Sequence, residues 1–207
     1  CSYSTAGLTN LLDFSIDTIN QNITLYAKWN ANIIIYELYG GGGNSGATYN
    51  NDYVILYNTT GSAIDISHYS LHYAAATGSF HTTNNKINLN GTIAAGGFYK
   101  IQLAAGTTVT DKPLPFTADL SSTAINLAGT IGKLALAFGS VPNLTLTGSN
   151  HSAVIDFVGY GSANDSENTP TAVLSNSTSA KRTSFVDTNN NSVDFAVGAI
   201  DLSYLLD

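Results

Sequence analysis

The sequence predicts an all-β protein, built as an antiparallel sandwich or barrel. Its apolar residues fall in short runs rich in β-branched and aromatic side chains, and clusters of Gly, Asn, Ser and Thr bound these runs. No window of about a dozen residues keeps an apolar stripe at positions i, i+3, i+4 and i+7, so long helices are not expected. Short strands joined by turn-rich connections favour a sandwich or a barrel.

Five runs are the clearest strand candidates. Each is rich in residues that pack well on a pleated surface, and polar turn residues or glycines lie on either side of it. In chain order the runs are 33–38 (IIIYEL), 53–57 (YVILY), 98–103 (FYKIQL), 133–138 (KLALAF) and 153–158 (AVIDFV).

Charge and composition exclude several classes of protein. The 207 residues include 7 basic and 14 acidic side chains, a net charge of −7, and only 10% are charged, compared with roughly 25% in ordinary globular proteins. The hydrophobic share of 43% is enough for a core, so disorder is not expected. Nucleic acid is not an expected partner either, because the acidic balance opposes such binding unless Lys181, Arg182 and Lys133 gather on one face.

Single residue types carry further information. Cys1 is the only cysteine, which excludes an intrachain disulfide and a zinc site built from cysteines. No run reaches the roughly 18 apolar residues that a membrane span needs. Because the chain has no methionine, we expect it to be a piece of a longer protein. Few Lys and Glu, with many Asn, Thr and Tyr, are typical of a bacterial secreted or wall-attached protein, so an extracellular location is expected.

Residues 1–30 are predicted to form a separate part. This part is too short to bury a core of its own, and a polar joint (WNAN, 29–32) separates it from the next apolar run. Its motifs DFS (13–15) and INQNITLYAKW (19–29) resemble the closing half of the Listeria–Bacteroides repeat, a small module of bacterial surface proteins. The predicted domains are therefore 1–30, a truncated repeat, and 31–207.

The second part resembles the bacterial lamin-tail domain, which implies an immunoglobulin-like β-sandwich. The resemblance rests on eight motifs in order: IYELYGGGGNSGATY (35–49), NDYVILYN (51–58), YSLHY (69–73), IAAGGFY (93–99), GKLAL (132–136), DFVGYG (156–161), SAKR (179–182) and DTNNNSVDF (187–195).

Two segments, one rich in glycine and one rich in Asp and Asn, are candidates for ligand binding. The four glycines 40–43 could cradle a phosphate, but no helix start or lysine follows, so a strand connection that needs positive φ or close backbone approach is the favoured interpretation. Oxygen-bearing side chains recur at Asp187, Asn189, Asn191 and Asp194, as in a site for Ca²⁺, with a distant carboxylate such as Asp52 as a further ligand. The same segment also fits an Asx-rich turn.

Catalytic chemistry has no support in the sequence. There is no Gly-x-Ser-x-Gly elbow and no helical HxxxH pair, and only two glutamates are available for a glycosidase-like carboxylate pair. A cluster of His68, His72 and Asp65 is conceivable, although a solvated strand edge explains these residues as well. We therefore predict no catalytic residues and no cofactor, with calcium as an open possibility.

Aromatic residues are the remaining candidates for binding. Tyrosines suit surfaces with one apolar and one wet side and could contact glycans or other flat ligands, but about half of them must face the core. The candidates are seven tyrosines that cluster in the first half of the chain: Tyr36, Tyr39, Tyr49, Tyr53, Tyr57, Tyr69 and Tyr73.

The predicted function is a non-catalytic extracellular interaction or adhesion module of a bacterial surface or secreted protein. Its partner would be a protein or a surface glycan. The alternative, which the resemblance implies, is an accessory domain of a secreted nuclease or phosphatase whose catalytic domain lies outside this chain.

Overall fold

In the computed structural model the chain divides into two units, residues 1–31 and residues 32–207. The structure describes residues 2–4, 26–28, 32–81, 83–139 and 146–205. In the first unit, β1 (Ser2–Ser4) pairs antiparallel with β2 (Tyr26–Lys28). Most of the segment that resembles a Listeria–Bacteroides repeat lies outside the described residues, so that resemblance stays a prediction.

The regular structure of the second unit is almost all strand, with seven helical residues among the described ones, which confirms the predicted all-β class. The five predicted runs correspond to β3, β4, β9, β11 and β12 in the following list. The strands are β3 (Ile33–Tyr39), β4 (Asn51–Asn58), β5 (Ile64–Asp65), β6 (Tyr69–Ala74), β7 (Lys86–Asn88), β8 (Thr92–Ile93), β9 (Phe98–Ala105), β10 (Leu120–Ser121), β11 (Gly132–Phe138), β12 (Val154–Tyr160), β13 (Thr178–Arg182) and β14 (Phe195–Ala199).

Helical structure is limited to short turns among the described residues. The helix α1 (Asn191–Asp194) has four residues, and a 3-10 turn (Ser203–Leu205) has three. Neither is long or apolar enough to cross a membrane.

Two sheets form the sandwich. The larger sheet has the order β10-β9-β4-β3-β13-β14, and the smaller has the order β12-β11-β6-β7. Strands β5 and β8 form a separate two-stranded sheet. Neighbouring strands run antiparallel, apart from β9 and β10, where Leu120 lies opposite Ile101 in a parallel pair.

The core lies between the two sheets, because alternate residues of each strand face inward. Both sheets contribute large aliphatic side chains, and burial of each one contributes about 1.5–3 kcal/mol. The buried residues include Ile33, Ile35, Val54, Leu56 and Ile101 from the larger sheet and Leu71, Leu134, Leu136 and Val158 from the smaller.

A bulge in β3 changes which residues face outward. Ile35 pairs with Leu56 and Glu37 pairs with Ile55, so that Tyr36 is an extra residue on β3. As a result both Tyr36 and Glu37 lie on the outer face of the larger sheet, the face turned away from the core.

Candidate functional site

The segment predicted to bind calcium forms a turn followed by the short helix α1. Asp187 Oδ1 accepts a hydrogen bond from the Asn189 backbone N–H at 3.0 Å, and Asn189 has a φ of 55°, as in an Asx-type turn. Asp194 accepts from the Thr188 hydroxyl at 2.6 Å and from the Thr188 N–H at 3.0 Å. These three carboxylate oxygens, one of Asp187 and two of Asp194, are therefore engaged in local hydrogen bonds.

The amide of Asn191 attaches this segment to the body of the domain. Its Oδ1 accepts from the N–H groups of Gly159 at 2.8 Å and Glu167 at 3.2 Å. Its Nδ2 donates to the Phe157 carbonyl at 2.7 Å and to Glu167 Oε2 at 3.0 Å. Both acceptor positions of this oxygen are used by backbone donors. Calcium binding by the four predicted residues stays a prediction, and Asn191 has a structural role.

Arg182 forms the centre of a buried ion-pair network. Its Nη2 donates to Asp156 at 2.8 Å, its Nη1 donates to Asp194 at 2.9 Å, and Asp187 lies 3.6 Å from Nη1. Its Nε donates to the Ile35 carbonyl at 2.9 Å. Because Asp156 belongs to the smaller sheet and Arg182 to the larger, this network joins the two sheets.

Three carboxylates meet beside this arginine. One oxygen from each of Asp156, Glu167 and Asp187 lies within 4.8 Å of the others, and these are the described residues that could together hold a cation. Asp187 is the one residue that this group shares with the predicted calcium set. Burial, together with the negative charges of Asp156 and Asp187, raises the pKa of Glu167. A cation placed here would compete with Arg182 for Asp156 and Asp187.

The glycine run 40–43 connects β3 to β4, and no helix follows it. Gly43 has a φ of +68°, and a Cβ atom on Gly42 would lie 2.1 Å from the Asn51 carbonyl carbon. This confirms the interpretation as a connection that needs positive φ and close backbone approach. Asp52 supports the loop, since its carboxylate accepts from the N–H groups of Gly42 at 2.8 Å and Leu127 at 2.9 Å.

The predicted histidine and aspartate cluster divides into separate local contacts. Asp65 accepts from the Ser67 N–H at 2.8 Å. His72 is buried, and its Nε2 is hydrogen-bonded to Ser70 Oγ at 2.8 Å, while its Nδ1 has no hydrogen-bond partner among the described residues. Burial, helped by the charges of Lys86 and His151, lowers the pKa of His72 to about 4.

His72 is expected to make the fold sensitive to acid. Because its pKa falls from 6.5 to about 4 on folding, the unfolded chain takes up a proton below pH 6.5 that the folded chain does not. Above the pKa of the unfolded chain, His72 does not lower the free energy of unfolding. That free energy falls as the pH drops from 6.5 toward the pKa of about 4 in the folded chain. At pH 4.5 linkage predicts a loss of about 2.5 kcal/mol.

Urea unfolding at pH 7.5 and pH 4.5 measures this loss. The variant His72→Gln keeps a polar group and cannot titrate. The change in its free energy of unfolding between the two pH values is therefore due to all other groups and is subtracted from that of the wild type. An equal change with pH in both proteins would contradict the prediction.

The basic residues do not share one face. Lys133 is buried on β11 in the smaller sheet, and Arg182 is buried in the network described above. Lys181 lies on β13, where its Nζ donates to the Asp201 carbonyl at 3.0 Å and stands 4.3 Å from the centre of the Tyr204 ring. The structure therefore does not bring these three residues together as a nucleic-acid surface would need.

Glu37 anchors the outer face of the larger sheet. It is fully buried, and three hydroxyl groups donate to its carboxylate: those of Tyr53 at 2.7 Å, Ser179 at 2.6 Å and Tyr204 at 2.6 Å. Burial raises the pKa of Glu37, an effect that these hydrogen bonds oppose. The carboxylate holds the Tyr204 hydroxyl, and with it the C-terminal segment, against the sheet.

Five aromatic rings form a continuous patch on this outer face. We call the group of Tyr36, Tyr57, Phe98, Phe185 and Tyr204 the aromatic patch. The rings of Tyr57 and Phe185 are stacked with centres 4.0 Å apart, and Tyr36 stacks on Phe185 at 5.3 Å. Phe98 lies 5.0 Å from both Tyr57 and Tyr204. Phe185 is 47% exposed.

The aromatic patch contains two of the seven tyrosines considered from the sequence. Tyr39 and Tyr53 are fully buried, and Tyr73 belongs to the core between the sheets. Tyr36 and Tyr57 lie in the patch. Sequence reasoning missed the other members, Phe98, Phe185 and Tyr204, and the alternation along β9 is a signal that could have placed Phe98 outside.

Comparison with known families matches residues 27–200 to the Lamin Tail Domain family. No curated protein matches the chain significantly. The two-sheet arrangement agrees with the immunoglobulin-like sandwich of this family, whose modules are non-catalytic. Because the match covers most of the chain, this protein belongs to the lamin tail domain family.

Proposed function

We propose that this chain is an extracellular interaction module of a bacterial surface or secreted protein, and that it acts in adhesion by contacting a protein or a surface glycan through the aromatic patch. The observation that carries the proposal is the patch itself, in which partly exposed rings lie together on one sheet face. Phe and Tyr are enriched at the centres of protein interfaces, where charged residues are depleted.

The rings are held in place before any partner arrives. Tyr36, Tyr57 and Phe98 project from β3, β4 and β9, three adjacent strands of one sheet. Tyr204 is fixed by its hydrogen bond to Glu37 and by the ammonium group of Lys181 beside its ring. A surface ordered in this way loses little side-chain entropy when a partner binds.

Phe185 is the most informative residue to replace. It is the most exposed ring of the patch, and its replacement by serine removes stacking surface without opening the core. Phe138 is a matched control, because it is also a phenylalanine, is 53% exposed and lies on the smaller sheet.

The test measures adhesion of beads coated with the full chain to surfaces coated with mucin, fibronectin, collagen or bacterial wall polysaccharide. We expect wild-type beads to adhere to at least one surface and Phe185→Ser to weaken that adhesion about tenfold or more, as for a central interface residue. Phe138→Ser should adhere as the wild type does. An antibody to the domain should label intact bacteria that carry the gene.

Two results would overturn the proposal. One is the absence of adhesion to all four surfaces, and the other is an equal loss of adhesion in Phe185→Ser and Phe138→Ser. Thermal unfolding of both variants shows whether each is folded before its adhesion is compared.

A further inference from the structure

A second candidate site lies on the smaller sheet, apart from the aromatic patch. It is a cleft of about 650 Å³, within the range of about 300–1,000 Å³ that is typical of small-molecule sites. The cleft lies between the turn after β6, residues 146–150 and residues 164–165. Most of its lining side chains carry hydroxyl, amide or charged groups, among them Thr77, Lys133, Thr147, Asn150 and Asp165.

Lys133 supplies hydrogen-bond donors to this cleft. It is only 5% exposed, and its Nζ donates to the Gly78 carbonyl at 2.6 Å and to Asn164 Oδ1 at 2.8 Å. An ammonium group has three N–H bonds, so these two contacts leave one that can turn to a ligand beside the Phe80 ring, whose centre lies 5.8 Å from the Nζ. In the described part of the chain no carboxylate forms an ion pair with this lysine.

Asp165 supplies acceptors to the same cleft. Its two carboxylate oxygens accept from the backbone N–H of Ser149 at 2.8 Å and from the Ser149 hydroxyl at 2.7 Å. Each oxygen keeps a second lone pair for a ligand. A Cβ atom on Gly148 would lie 2.4 Å from Asp165 Oδ2, so glycine at this position permits the close approach of the carboxylate.

We infer that this cleft binds a short neutral saccharide. A sugar hydroxyl both donates and accepts hydrogen bonds, so it can accept from Lys133 and donate to Asp165 in one site. The hydroxyl and amide groups of Thr77, Thr147 and Asn150 add partners of both kinds. Lys133 and Asp165 carry charges of opposite sign, so the cleft does not favour a strongly charged ligand. An anion, for example, would be repelled by the Asp165 carboxylate.

This inference is independent of the proposed function, because the aromatic patch lies on the larger sheet. The experiment is titration of the isotopically labelled full chain with glucose, N-acetylglucosamine, maltose and cellobiose, followed by the backbone amide signals of Thr77, Ser149 and Asn150 in NMR spectra. Sodium acetate and sodium sulfate serve as anionic probes.

We expect at least one sugar to shift these signals in a saturable way and the two anions to leave them unchanged. Thr147→Trp places a large ring at the exposed edge of the cleft and should raise the dissociation constant more than tenfold. Asn150→Ala removes one polar partner and should raise it about fivefold. Thr110→Trp, an exposed control outside the cleft, and Phe185→Ser should leave it within twofold.

Three results would overturn the inference. They are the absence of a saturable shift with any of the four sugars, a shift with acetate or sulfate alone, and an unchanged dissociation constant in Thr147→Trp. Failure of the bead adhesion test together with sugar binding in the cleft would reject the proposed function and keep this inference.

Discussion

Replacement of Arg182 by methionine is expected to lower the free energy of unfolding by about 3–5 kcal/mol, because removing one partner of a buried ion pair leaves the other charge uncompensated. The guanidinium of Arg182 is fully buried, with Asp156 and Asp194 at 2.8 and 2.9 Å. Methionine fills much of the same space. The decrease in the free energy of unfolding is therefore due to the lost charge and hydrogen bonds and not to a cavity. The carbonyl of Ile35 would also lose its donor.

Two further variants make this result interpretable. Arg182→Lys keeps the positive charge but lacks the planar guanidinium that reaches Asp156 and Asp194 together. Its free energy of unfolding should therefore decrease less than that of the methionine variant. Asp156→Asn keeps the shape of the side chain and is the variant to use if Arg182→Met does not fold. Urea unfolding at pH 7 measures all three, and a loss below about 1 kcal/mol in Arg182→Met would contradict the prediction.

Gly42→Ala is expected to destabilise the fold by about 3 kcal/mol or more. The new Cβ atom would lie 2.1 Å from the Asn51 carbonyl carbon and 2.3 Å from the Asp52 nitrogen. These are backbone atoms of β4, which cannot turn away as a side chain could, so the loop must shift. Such a shift also strains the hydrogen bond from the Gly42 N–H to Asp52. Overpacking typically costs about 1–3 kcal/mol and more where neighbours are rigid.

Gly61→Ala is the matched control. A Cβ atom on Gly61 would meet nothing within 4 Å, so we expect a change within about 1 kcal/mol, with a small gain from the stiffer unfolded chain. Thermal and urea unfolding of both variants compare the two positions. Equal stability of Gly42→Ala and Gly61→Ala would show that the loop has room that its geometry does not indicate.

Local chemistry made much of the fold predictable. The five predicted runs became β3, β4, β9, β11 and β12, because β-branched and aromatic residues bounded by turn formers carry the strand signal within a few residues. Strand β13 was not predicted from periodicity, since its sequence TSAKR is polar. It becomes a strand through pairing with β3 and β14, which no local pattern contains.

For the segment 187–194, the sequence could predict the local turn but not the carboxylates that lie beside it. The Asx-type turn at Asp187 and Asn189 depends on neighbours in sequence, so it could be considered beforehand. Asp156 and Glu167, which share the space beside Asp187, come from other parts of the chain. The approach of Asp156 depends on how the smaller sheet, which contains β12, packs against the larger sheet, which contains β13.

The candidate sites depend even more on tertiary structure. The sequence by itself determined that the protein is all-β. It favoured a strand connection that needs positive φ or close backbone approach for the glycine run, and it made tyrosines candidates for an exposed surface. Which rings form the aromatic patch was decided by the order of strands in the larger sheet and by the bulge that leaves both Tyr36 and Glu37 on its outer face. The burial of Arg182 and Lys133 was also decided by the tertiary structure, because the energy of a charged side chain depends on groups that are distant in sequence. Those groups meet Arg182 when the two sheets pack, and they meet Lys133 through the turn after β6 and Asn164.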